Sequence, residues 1–178
     1  FVIVASFQVR DFQATDIKEK YSFDTYLIAR IVSNILMVLL LIGYIILNPN
    51  THANIGIIFW VSFFRVSEAL SDVFQGLFQQ RERLDIAGKS LFLRNTISTV
   101  VFALVLLVSK NLLWSVILQT ISSFLFIALF DYTNSRLFHI LNFRNVKPRK
   151  VVNVFKDCLP LFINAFLLVS IYNKPKYA

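Results

Sequence analysis

The sequence predicts an all-α integral membrane protein. Of its 178 residues 57% are apolar and only 16% charged, an apolar excess that a soluble domain of this size has too small an interior to hide. Charged side chains are bunched between long uncharged runs instead of marking polar faces, and the mean hydropathy is +0.66. Both features belong to a chain that crosses a bilayer several times.

Residues 1–9 are apolar but too few to cross a membrane, and are expected to be the last turns of a helix. Residues 10–30 mix Arg10, Lys18, Lys20 and Arg30 with Asp11, Asp16, Glu19 and Asp24, the composition of a water-facing loop with some helix. Residues 31–51 carry no charge and, at about 1.5 Å per residue, cover about 30 Å of hydrocarbon. Asn48-Pro49-Asn50 then signals a turn. Residues 53–79 form a second span if Arg65, Glu68 and Asp72 lie inside the membrane.

Residues 80–94 are a second basic connection. The uncharged run 95–109 spans if its helix begins near Ser90 and if Arg94 and Lys110 snorkel. Residues 112–130 follow after only Lys110-Asn111, so these two spans read as an antiparallel hairpin. Residues 131–157 form a strongly basic connector. The last span is expected over 158–173, with Pro160 tolerated in its first turn. Five spans thus follow the initial short helix. Phe1 is neither an initiator Met nor the start of a basic leader, and the far end stops just behind an apolar run. The chain therefore reads as a segment of a longer protein.

The 18 Lys and Arg exceed the 10 Asp and Glu to give a net charge of +8. The excess sits between hydrophobic spans, which points to the positive-inside bias and not to nucleic acid. The three basic connectors hold four, four and six Lys or Arg, whereas residues 48–52 and 110–111 hold none and one. That asymmetry puts the basic connectors in the cytoplasm. Cys158 is the single cysteine, no Cys/His cluster has metal-ligand spacing, and no phosphate-binding glycine loop or nucleophile elbow occurs. Neither a cofactor, a metal nor an enzymatic activity is expected.

Arg65, Glu68 and Asp72 carry the most information, because an ionisable side chain at membrane depth costs about 2.5 kcal/mol or more and is rarely kept without a role. They lie within about 60° of one another on a helical wheel, and Gln75, Gln79 and Arg83 prolong that face. Such a stripe makes an internal Arg65 to Glu68 or Asp72 salt bridge, lines a cavity that senses substrate or a coupling cation, or does both. Arg30 and Arg94 begin their spans, where each either snorkels to lipid phosphates or holds a pyrophosphate bidentately. Lys176, beside Lys174 and Pro175, is an interfacial anchor or part of a helix break at a cavity. These six charged residues are the candidates for a substrate or ion pathway. His52 and His139 are expected to be solvated and Cys158 structural.

Residues 64–79, with Arg65, Glu68, Asp72, Gln75, Gly76 and Gln79, followed by Arg81-Glu82-Arg83-Leu84-Asp85 and Gly88-Lys89-Ser90-Leu91, resemble the fourth helix and following loop of Wzx-like oligosaccharide-lipid flippases. These belong to the multidrug/oligosaccharidyl-lipid/polysaccharide exporter superfamily. Phe7-Gln8-Val9-Arg10-Asp11-Phe12-Gln13 is similar to the family's exit from its second helix. Leu159-Pro160-Leu161-Phe162 and residues 173–177 are similar to the opening of its seventh, where an Asn-x-Pro-Lys/Arg-Tyr pattern is frequent.

The resemblance implies a transporter of about twelve to fourteen helices in two lobes, of which residues 1–157 are a first-lobe segment and 158–178 the start of the second lobe. It implies export of a polyprenyl-pyrophosphate-linked oligosaccharide across the bacterial plasma membrane for O-antigen, capsule or other surface polysaccharide. Membrane lipids, a polysaccharide polymerase and other assembly proteins would be its partners. The competing reading is a membrane-embedded glycosyltransferase or polymerase subunit, which should carry a long outer loop with catalytic carboxylates or arginines. Both outer connectors here are very short.

Overall fold

The computed structural model describes residues 6–16, 18–47, 55–142 and 146–173, and all regular structure among them is helical. A short helix α1 (Val9–Thr15) precedes five long ones: α2 (Phe23–Leu47), α3 (Ile55–Gln80), α4 (Leu84–Ser109), α5 (Leu112–Ser135) and α6 (Pro148–Asn173). Four of them, α2, α4, α5 and α6, are long and apolar enough to cross a membrane. With 26 residues α3 is equally long but bears Arg65, Glu68 and Asp72. Of the five expected spans, four are long and apolar enough to cross a membrane, and the helix ends differ from those the charge pattern suggests.

Two hairpins are set by local capping. At the end of α3 the Arg83 N–H donates to the Phe78 carbonyl over 2.8 Å and the Glu82 N–H to Gln79 over 3.0 Å. Glu82 takes a left-handed conformation with φ 57°, which together make a Schellman-type stop. Lys110 ends α4 in the same way, with φ 50° and its N–H on the Leu106 carbonyl. Asn111 then caps α5, its side-chain oxygen accepting from the Leu113 N–H at 3.0 Å. A left-handed residue followed directly by an Asn cap turns the chain in two residues. The expected hairpin follows from that.

Helix α5 is interrupted at Ile127–Asp131 by a π turn before its last α turn, Tyr132–Ser135. The wider turn rotates Asp131 into the interior, where it is fully buried. Residue 131 is therefore not the start of a water-facing connector. That connector is also shorter at its other end, because α6 begins at Pro148, whose missing N–H suits the first helical position. Pro160 consequently lies inside α6 and not in its first turn. Likewise α2 starts at Phe23 and α4 at Leu84, so charged residues taken as span boundaries lie within helices.

The main core gathers at one end of the bundle. Tyr21, Phe23, Tyr26, Phe74, Leu77, Phe78, Ile86, Val154 and Cys158 form it, with Val9 of α1 wedged among them. Cys158 is free and buried there, a packing residue as expected. The three basic connectors meet at this end. Lys20 bonds Asp157 at 2.6 Å, Arg81 pairs with Glu19 at 2.9 Å, and the Gln80 amide donates to the Asp16 carbonyl. The Asp157 carboxylate holds the Lys20 ammonium above its usual range. Along the other half of the bundle Leu39, Ile46, Leu104, Leu107 and Val108 stand exposed, an apolar exterior suited to lipid.

Candidate functional site: a charged cavity between α3 and α4

Helices α3 and α4 and the residues just before α1 enclose a cavity of about 250 Å³, lined by Ser6, Arg65, Glu68, Ala69, Asp72, Leu91, Arg94 and Asn95. Arg65 lies about 22 Å along α3 from its Gln80 end, and Arg94 about 15 Å into α4, at 1.5 Å per residue. Four of the six candidate pathway residues thus line one space. Arg30 lies nearby without lining it, and Lys176, with Lys174 and Pro175, falls outside the described residues, as does His52.

The expected Arg65 pair forms with Glu68, Nη1 to Oε2 at 2.5 Å, as the three-residue spacing permits. Asp72 is held instead from another element: Arg10 of α1 reaches it at 3.6 Å. The Asp72 carboxylate lies in the combined field of Arg30, Arg10 and Arg94. Arg10 had no place among the expected site residues, because a charge in a mixed-sign segment looks solvated until α1 is folded against α3.

Neither Arg30 nor Arg94 snorkels. Arg30 is fully buried and donates to the Ser6 carbonyl, and Arg94 is 3% exposed. The physical reason is the early start of both helices, which leaves each guanidinium two or more turns from its helix end, beyond reach of the lipid phosphates. Arg94 has unmet hydrogen-bonding capacity, as do the buried Gln13 and Asn34. The Arg94 Nε and Nη1 have no hydrogen-bond partner among the described residues, and both Asp72 and Asp131 feel its charge.

Behind the cavity lies a node that the charge pattern did not reveal. Asp131 accepts from Ser71 of α3 at 2.7 Å and from Ser90 of α4 at 2.5 Å, tying three helices together. One turn further along, Ser67 donates to Ser123 at 2.8 Å. Gln75, expected on the cavity stripe, is buried beside this node with its amide 3.3 Å from Ser71. Arg83 leaves the stripe as well, because α3 stops at Gln80; it pairs with Asp85 at 2.9 Å, which raises the Arg83 guanidinium above its usual range. The signal that would have found the node is the spacing of small hydroxyl residues: Ser67 and Ser71 on α3, and Ser90 and Ser98 flanking Arg94 on α4. Small polar residues four apart mark helix contacts in membranes.

His139 also departs from expectation. It is half-buried, with its Nε2 2.8 Å from the buried Asp24 carboxylate, a partner 115 positions away that no local spacing could disclose.

No family model, no curated protein and no solved structure matches the chain. The fold and site together describe a multi-helix α protein with four helices long and apolar enough to cross a membrane and a charged cavity between α3 and α4.

Proposed function

We propose that this chain forms part of a flippase that carries a polyprenyl-pyrophosphate-linked oligosaccharide across the bacterial plasma membrane for surface polysaccharide assembly. One observation carries the reading: Arg94 is buried, its Nε and Nη1 have no hydrogen-bond partner among the described residues, and it lines a cavity that also holds Arg65. Leaving a buried charge without partners is costly, and an arriving pyrophosphate would supply the missing acceptors in bidentate form. Arg10 and Arg30 keep the surroundings electropositive although Glu68 and Asp72 are present. Sugar hydroxyls and phosphates cannot enter hydrocarbon without such a hydrated path. In this reading the cavity opens alternately to the two sides and no covalent bond changes. The resemblance of residues 64–91 to the fourth helix and loop of oligosaccharide-lipid flippases supports it, as does the clustering of basic connectors at one end.

Deleting the gene should leave lipid-linked repeat units on the cytoplasmic face and abolish surface polysaccharide. Restoring it with Arg94→Ala should return less than about a tenth of the polymer, since losing an interaction of 1.4 kcal/mol or more is about tenfold in an equilibrium, whereas Lys89→Ala, an exposed change, should complement fully. Unpolymerised repeats at the outer leaflet of the deletion strain would reject export and favour a polymerase.

A further inference from the structure

At the basic end, on the side away from the charged cavity, a second groove of about 440 Å³ runs between α2 and α6. Its walls are apolar: Ile28 and Val32 from α2, Val151, Val152 and Phe155 from α6, with Val146 and Pro148 at the mouth. Val32 and Val152 remain about half exposed, at 44% and 52%. At 1.5 Å per residue, Ile28 and Val32 lie about 8 to 14 Å inside the start of α2, and Val151 to Phe155 about 5 to 11 Å inside α6.

Lys147, Arg149 and Lys150, beside the groove residue Pro148 in the chain, stand exposed. None of them is in an ion pair among the described residues, and the sequence has no acidic residue between Asp131 and Asp157. An apolar slot next to three exposed, unpaired cations fits an occupant that is anionic at one end and hydrocarbon at the other. Another membrane helix would fill the slot but leave the cations without counter-charge; a soluble anion would satisfy the cations but leave the slot empty.

We infer that this groove binds one anionic phospholipid, with an acyl chain along Ile28, Val32, Val152 and Phe155 and the phosphate among Lys147, Arg149 and Lys150. The site is independent of the transport reading. It pins the basic end to the anionic leaflet and cements α6 to α2 through lipid where the two helices diverge.

Native mass spectrometry of the full chain in detergent, with equimolar phosphatidylglycerol and phosphatidylcholine of different mass, tests it. The expected spectrum shows one phosphatidylglycerol retained in preference to phosphatidylcholine. The triple change Lys147→Ala, Arg149→Ala, Lys150→Ala should lower that preference by about tenfold or more. Val152→Trp, which fills the slot without altering charge, should also remove the bound phosphatidylglycerol. Circular dichroism and monodispersity check that both variants fold, the substituted residues being exposed. No preference in the unsubstituted chain overturns the inference. So does retention of lipid by Val152→Trp alongside its loss from the triple variant, which would indicate surface charge without a groove. A dimer that Val152→Trp dissolves would assign the groove to a second copy and equally overturn it.

Discussion

The two ends of the bundle are built differently. In α3 every buried residue lies between Val66 and Phe78, and in α4 between Ile86 and Ser98; the stretches 55–65 and 99–109 bury none. At the basic end aromatic rings interlock, Tyr21 on Tyr26 and Phe23 on Phe74 at 5.9 and 5.5 Å between centroids, and polar groups cross between helices. In the other half contact is carried by the α4 and α5 hairpin and the α3 and α5 seam. Phe63 meets Phe124 at 5.3 Å and Thr120 donates to the Trp60 carbonyl at 3.3 Å. Against lipid, burying an apolar side chain gains little that lipid does not already supply, so close packing and interhelical hydrogen bonds decide where helices hold. The basic end has both and forms the hub; the far half has fewer.

The sharpest way to break this contrast is Asp131→Ala. It strands Ser71 and Ser90, removes a carboxylate from the field of Arg94, and should cost about 2 to 3 kcal/mol of unfolding free energy in detergent. Asp131→Asn, which keeps one acceptor, should lose clearly less. Denaturant titration followed by helical circular dichroism measures both. Equal stability of Asp131→Ala and the unsubstituted chain would mean that the node does not hold the hub.

A smaller loss is expected where α1 meets α3. A methyl group on Gly76 would stand 2.6 Å from the Gln13 side-chain oxygen, so the fully buried Gln13 side chain must shift to admit it. Gly76→Ala should therefore destabilise by about 1 to 2 kcal/mol and speed amide exchange selectively in α1. Because α1 carries Arg10, this variant should also loosen the Arg10 to Asp72 contact. Exchange unchanged in α1 would show that the close approach is relieved locally.

The smallest effect belongs to the far half. Gly43 in α2 has nothing within 4 Å of an added Cβ, so Gly43→Ala should leave stability unchanged or raise it by up to about 0.5 kcal/mol through helix propensity. A loss comparable to that of Gly76→Ala would mean the far half is as tightly held as the hub, and the contrast between the two would fail.

Much of this architecture is legible in the chain itself. Uncharged runs separated by charge clusters specify the four helices long and apolar enough to cross a membrane, because hydropathy over about twenty residues is a local sum. The same local logic discloses the Lys110-Asn111 turn and the Arg65 to Glu68 pair, whose members are helical neighbours whatever surrounds them. It misplaces helix ends, however, since a charge inside a run looks like a boundary. Arg30, Arg94 and Asp131 were assigned to interfaces for that reason, and each is buried.

Only the tertiary structure decided what those charges touch. Asp72 is joined to Arg10, Asp131 to Ser71 and Ser90, and Asp24 to His139, each partner drawn from a different helix or connector. Hydropathy cannot distinguish a polar group facing water from one facing another helix, because both lie away from lipid. Sequence composition determined which segments leave water; the packing of helices against one another determined which polar groups left it with them, since a buried charge persists only where distant elements converge to stabilise it.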